Sequence, residues 1–244
     1  MADLNIETNT LTLAVSDGSA MNAYVAAPTG DGTYPNLIIL QEAFGVNAHI
    51  RDVTDRFARL GYVAIAPELF HRTAPPGFEG SYTDFPAIMP HYQALTNDGL
   101  AADLAAAHGW LEDWNAGQPL GTIGWCLGGK VSFLASTVLP VRCSVSFYGG
   151  GIAPNAMSAG LLDRADQVKA PLLLCWGGKD AHLTPDQVWA VTAALDAAGK
   201  NYINAVFSKA DHGFFCDARA SYDAESAAVG LALTLGFFGQ HLAV

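Results

Sequence analysis

Gly124-Trp125-Cys126-Leu127-Gly128-Gly129 lies between an apolar run, residues 120–123, and a helix-like run that begins at Leu127. That order reads as strand, sharp turn, helix, with a nucleophile-type residue at the apex. The apex of such a turn is held in a strained backbone conformation, and side chains beside it would collide with the crossing segments, so glycines are needed around it. A chain with this device must supply a buried strand before it and a covering helix after it. Cys126 alone decides little, because cysteine is also a small, readily buried apolar residue.

The rest of the chain supplies the rhythm that the turn demands. Residues 10–15 and 20–26 alternate as antiparallel strands joined at Asp17-Gly18. Short apolar strands are then predicted at 36–40, 62–66, 120–123, 143–148, 171–176 and 202–207. Helices are predicted between them at 49–60, 92–114, 127–139 and 185–198, with a last one at 221–242. Thr184 is placed to cap the fourth helix and Gly199 to end it. Continuous apolar strands alternating with helices imply an α/β fold: a mostly parallel central sheet with helices on both faces, and antiparallel strands at its N-terminal edge. Residues 70–90 break the rhythm. Pro75, Pro76, Gly77, Gly80, Pro86 and Pro90 make this an irregular, lid-like excursion. With no repeat, linker or low-complexity tract, residues 1–244 read as one domain.

Composition excludes several classes. With 244 residues, 51% of them hydrophobic, a full core forms without disulfides. A net charge of −11 argues against nucleic acid and anionic membrane, both of which need a basic face. No apolar run reaches membrane-spanning length. The N-terminal residues lack the basic and apolar regions of a secretion signal. The four cysteines, Cys126, Cys143, Cys175 and Cys216, form no C-x-x-C pair. That spacing fits a reducing cytoplasm, with neither a disulfide framework nor a metal site, and no cofactor is called for. A monomer or small homo-oligomer is expected.

Two further residues stand where an apex nucleophile needs partners. Trp176-Gly177-Gly178-Lys179-Asp180 places a carboxylate just after one strand. Ala210-Asp211-His212-Gly213-Phe214 places an imidazole just after the next. In a parallel sheet both strand ends meet the same rim. The order nucleophile, acid, base is that of α/β-hydrolases. Asp211 is a rival carboxylate, although adjacent residues seldom aim both side chains at one point.

At this point the chain resembles the dienelactone hydrolase family over nearly its whole length. Gln41-Glu42-Ala43-Phe44-Gly45-Val46-Asn47 with Ile50-Arg51-Asp52 is similar to that family's first active-site loop, and residues 61–69 to its next strand. Gly124–Gly129, Gly177–Asp180 and His212–Phe214 resemble its cysteine, acid and base segments. The resemblance implies acyl transfer to a small lactone or ester through a thioester. Cys126 would be the nucleophile, His212 the base and Asp180 its partner, with the backbone N–H groups of Leu127 and Ala43 as the oxyanion hole. It further implies that Glu42 disfavours the Cys126 thiolate in the empty site by like-charge repulsion.

The chain departs from the family in its substrate anchors. The position four residues past the histidine, an arginine in well-known members, is Cys216 here, and no Lys or Arg lies between Arg72 and Lys130. Arg72 and Arg219 are the remaining candidates for a carboxylate anchor. Phe85, Tyr92, Trp125 and Phe214 are candidates for an apolar or aromatic substrate. Three alternatives stand beside the lactone reading. They are a broader carboxylesterase or thioesterase, a non-catalytic ligand-binding protein on the same fold, and thiol redox regulation through Cys126 and Cys216.

Overall fold

The computed structural model describes residues 4–243, which group into two compact units, 4–121 with 243 and 122–242. The first unit opens with β1 (Ile6–Ala14) and β2 (Ala20–Pro28), a hairpin paired antiparallel in full register from Ile6↔Pro28 to Ala14↔Ala20. Both strands are longer than the sequence pattern marks. The alternation fades at their far ends although the backbone pairing continues. Then come β3 (Asn36–Leu40), α1 (Ala48–Arg59) and β4 (Val63–Pro67). β2 pairs antiparallel with β4, and β4 pairs parallel with β3, so this unit orders its strands β1-β2-β4-β3. Every residue of β3 and β4 is buried, which is why both read as unbroken apolar runs.

The 70–90 excursion is partly helical. Residues 85–93 form α2 (Phe85–Gln93), capped by the Asp84 carboxylate on the N–H of Ala87, with Pro86 in its first turn. The sequence pattern predicts a single helix from residue 92 to residue 114. The chain instead breaks at residues 94–96 and restarts as α3 (Asn97–Trp114), where the Thr96 hydroxyl accepts from Gly99 N–H. Proline explains the early start, since it fits a first helical turn, and the Thr96 cap explains the restart. The excursion packs on the loop after β3. Gly80 N–H donates to Phe44 O, Asn47 donates to Tyr82 Oη, and the Phe44 and Tyr82 rings meet edge-on at 4.5 Å.

The second unit begins inside β5 (Leu120–Trp125). It continues through α4 (Leu127–Val138), β6 (Cys143–Phe147), a 3₁₀ turn at Leu162–Gln167, β7 (Leu172–Gly177), α5 (Pro185–Ala197), β8 (Tyr202–Phe207) and α6 (Ala224–His241). Its strand order is β5-β6-β7-β8, with β6, β7 and β8 mutually parallel. Thr184 caps α5 in a reciprocal box with Gln187, and Gly199 follows the helix at a φ of 62°, as the sequence pattern predicts. Buried hydroxyls tie β5, α4 and β6 together: Thr122 Oγ1 lies 2.9 Å from Ser132 Oγ and 2.8 Å from Ser144 Oγ. Among the described residues no helix is long and apolar enough to cross a membrane.

The turn between β5 and α4 is set by close approach. A Cβ on Gly124 would lie 2.1 Å from Gly128 O. One on Gly129 would lie 2.7 Å from Gly149 Cα and 2.8 Å from Phe147 O. All of these neighbours are backbone and cannot swing aside. Gly124→Ala is therefore expected to destabilise the fold by about 2–3 kcal/mol. Gly236→Ala, in α6 with open space around it, should be neutral or stabilise by about 0.5–1 kcal/mol. Urea unfolding of the two variants checks the contrast, and equal stabilities would contradict it.

Candidate active site

Cys126 follows β5 directly and takes φ 54° and ψ −114°, one of two non-glycine residues at positive φ among those described. Its N–H donates to Phe147 O at 3.0 Å, while its carbonyl accepts from Gly129 N–H at 3.0 Å as α4 begins. No side chain caps α4. The Leu127 N–H therefore stands at the positive end of the helix dipole, with no intrahelical acceptor. Of the four thiols, Cys126 is partly exposed, whereas Cys143, Cys175 and Cys216 are buried. Burial pushes the Cys143 and Cys175 thiols far above their ordinary range, which makes both inert.

Asp180 lies three residues past β7 and His212 five residues past β8. Two glycines let their loops meet. A Cβ on Gly177 would lie 2.8 Å from Ala210 O, and one on Gly178 would lie 2.7 Å from Ser208 Cα. Backbone bonds close the seam, Gly178 N–H to Phe207 O at 2.8 Å and Lys179 N–H to Ala210 O at 2.9 Å. Asp180 then divides its oxygens. Oδ1 accepts the N–H groups of His182 and Leu183 at 2.8 and 3.1 Å, and Oδ2 lies 2.7 Å from His212 Nδ1. Asp211, the rival, accepts the backbone N–H of His212 instead.

With Nδ1 committed to Asp180, the other ring nitrogen is the one left to meet Cys126, with which His212 shares a hydrogen bond and a charge interaction. Burial opposes the imidazolium, but the Cys126 and Asp180 charges together outweigh it and push the His212 pKa up to about 10. Tyr148 and His182 flank the same ring, with centroids 5.0 and 5.2 Å away. The arrangement has the parts of nucleophilic acyl transfer: a thiol, an imidazole in reach of it, a carboxylate fixing the imidazole's tautomer, and a helix-terminal N–H beside the thiol.

The other predicted residues fall in varied places. Glu42 and Ala43 are both 1% exposed in the loop after β3. Arg72 is bound elsewhere: its guanidinium grips Asp103 at 2.8 and 2.9 Å and Asp17 at 2.7 Å. Arg219 packs its guanidinium where a Cβ on Gly213 would stand, directly beside His212. Trp125 is fully enclosed, stacked with Phe147 at 5.9 Å and tilted against Phe215 at 5.3 Å. Phe214 is likewise enclosed between Tyr148 and Phe207. Neither offers a surface to a substrate in this conformation. Phe85 and Tyr92 pair along α2 at 6.5 Å, with Phe85 exposed. Tyr148 is the residue that sequence reasoning passes over. An aromatic at the end of a strand looks like core, and nothing in the residue type announces its positive φ.

Fold and site together define a hydrolase of the α/β type. The chain belongs to the dienelactone hydrolase family, whose model matches residues 21–242. A Synechocystis protein named "Putative carboxymethylenebutenolidase" is 38% identical over 212 residues, covering 84% of this chain and 85% of its own. An Escherichia coli K12 protein of the same name is 34% identical over 93% of this chain and 84% of its own. The crystal structure of a Klebsiella pneumoniae protein, "Putative Dienelactone Hydrolase", superposes with a TM-score of 0.88 at 34% identity, covering 97% of this chain and 99% of that one.

The geometry carries an expectation for pH. Asp180→Asn removes one of the charges that raise His212, so its imidazole should lose its proton at a lower pH than in the parent protein. A histidine-selective NMR titration reads this directly. An unmoved His212 titration would show that Asp180 does not set the ring's charge.

Proposed function

We propose that this protein hydrolyses small lactones or esters through a Cys126 thioester. The observation that carries the reading is the chain of contacts Asp180 Oδ2, His212 Nδ1, His212 ring, Cys126, ending at a thiol on a strained turn. In the first half-reaction the Cys126 sulfur attacks the substrate carbonyl, and the oxyanion accepts a hydrogen bond from the Leu127 N–H. As the tetrahedral adduct collapses, the carbon–oxygen bond breaks and the imidazolium of His212 protonates the leaving alkoxide. In the second half, neutral His212 takes a proton from water, hydroxide attacks the thioester carbonyl, and the acid departs as the sulfur is released.

Ala43 N–H as second oxyanion donor and Glu42 as a restraint on the thiolate belong to the same proposal and rest on the family resemblance. Glu42→Gln tests the restraint. Cys126 should then react faster with iodoacetamide near neutral pH, read by peptide mapping so that the three buried thiols are not miscounted. An unchanged rate would leave Glu42 out of the mechanism.

The substrate's charge depends on the arginines. Because Arg72 is engaged by two carboxylates, it is a poor anchor for a third, and of the two arginine candidates Arg219, packed against Gly213 next to His212, is the one that remains. A lactone and short-ester panel, with and without a free carboxylate, separates a carboxylate-selective enzyme from a general esterase.

The triad itself is tested by Cys126→Ala, which should abolish turnover of every substrate in the panel while leaving the thermal unfolding transition in place. His212→Ala should be nearly as damaging, and adding it to Cys126→Ala should cost little more, since members of one catalytic unit are strongly non-additive. Independent, multiplying losses would mean that the two residues do not act together.

A further inference from the structure

We infer that Tyr148 is a positioning residue that fixes the His212 imidazole against Cys126 and joins the three segments carrying the proposed triad. The inference rests on that triad and concerns a residue outside it. β6 ends at Phe147, and the next residue, Tyr148, takes a φ of 39°. Together with Cys126 it completes the pair of non-glycine residues at positive φ among those described. A bulky side chain is disfavoured there, and such conformations persist only where the surroundings hold them. Here the surroundings can be named.

The peptide joining Phe147 to Tyr148 is used at both of its polar ends. Its carbonyl accepts the N–H of Cys126 at 3.0 Å, and its N–H donates to Cys175 O at 2.7 Å. Cys175 lies in β7, the strand that runs on to Asp180. One peptide thus ties the nucleophile turn to the acid's strand. The same residue's ring closes on the base. Tyr148 is 0% exposed, with its ring centroid 5.0 Å from His212, tilted by 59°, and 5.3 Å from Phe214 in an edge contact.

The positive φ gives this contact its logic. A strand alternates its side chains, so Tyr148 in extended backbone would project opposite to Phe147. Turning at φ 39° breaks the alternation, and both rings reach Phe214, at 6.0 Å from Phe147 and 5.3 Å from Tyr148. Three glycines come next, Gly149, Gly150 and Gly151, yet the strained position itself carries a large flat ring. Asp180 holds one end of the imidazole by a hydrogen bond and Cys126 meets the other, and two in-plane bonds still leave the ring able to rock about the line between them. A flat neighbour at 5.0 Å restricts the rocking, and small errors of aim at a reacting atom are costly.

The experiment compares Tyr148→Ala, Tyr148→Leu and Tyr148→Phe in hydrolysis of 4-nitrophenyl acetate and in the pH profile of Cys126 alkylation by iodoacetamide. Tyr148→Ala should lower kcat on the order of 10-fold to 100-fold, with KM little changed. Its alkylation profile should move to higher pH, because the imidazolium no longer stays beside the sulfur. Tyr148→Phe keeps the ring and should restore both readouts. Should the alanine variant fail to fold, Tyr148→Leu keeps apolar bulk without a flat face and should show the same loss in kcat and the same displacement. Parent-like kcat and labelling in the Ala or Leu variants would overturn the proposal, and so would a Phe variant as impaired as they are. Cys126→Ala run in parallel keeps the two ideas apart. Turnover surviving in Cys126→Ala sinks the thioester reading, whereas turnover lost there but intact in Tyr148→Ala sinks only the role of Tyr148.

Discussion

The hydrogen bond from Cys126 N–H to Phe147 O, 3.0 Å long, holds the strained residue in place. At φ 54° the cysteine sits where an L-residue is disfavoured by roughly 1–3 kcal/mol. The turn survives because alternatives are blocked on every side. Gly124 lies against the backbone of Gly128, and Gly129 against that of Gly149 and Phe147. The outcome is a thiol that is partly exposed while the rest of its turn is buried. Exposure separates it from Cys143 and Cys175, whose burial makes ionisation too costly for chemistry.

Asp180 and His212 depend on the same economy of backbone. Asp180 is a buried carboxylate, costly unless its oxygens are filled, and here each oxygen has a partner. Two backbone donors on Oδ1 fix the carboxylate's orientation, so that Oδ2 presents a defined lone pair to His212. Because the loop around Asp180 is stitched to the 208–211 loop, the 2.7 Å distance belongs to the backbone more than to side-chain choice. His212 inherits a fixed tautomer from it, and with the Cys126 charge a raised affinity for its proton.

Much of this is legible in the sequence, and for a physical reason. Where the backbone must approach closely only glycine fits, so Gly124, Gly129 and Gly177-Gly178 mark the Cys126 and Asp180 segments in the sequence. Buried parallel strands advertise themselves as apolar runs, and their order fixes which residues reach one rim. What stays hidden is decided by geometry that residue type does not encode. Asp180 and Asp211 are equivalent on paper. They separate only once Asp211 turns back on the N–H of His212. Likewise, α2 reads as irregular because its prolines look like breakers, although Pro86 sits in the first turn, where proline is tolerated. Tyr148 stays unseen because strain on a non-glycine residue leaves no mark in the sequence.

Arg72 shows the same limit from the other side. From spacing alone it is a cation near the excursion and a fair candidate for a substrate carboxylate. The structure gives it Asp103, whose side chain is wholly buried and also lies 3.0 Å from His71 Nε2. A buried carboxylate cannot release a cation without leaving its own charge uncompensated, which costs several kcal/mol. The two-pronged grip on Asp103 and the contact with Asp17 therefore make Arg72 a strut between the β1–β2 turn, the excursion and α3. An arginine available to a ligand must be one whose departure from its resting partner costs little, and Arg72 fails that condition.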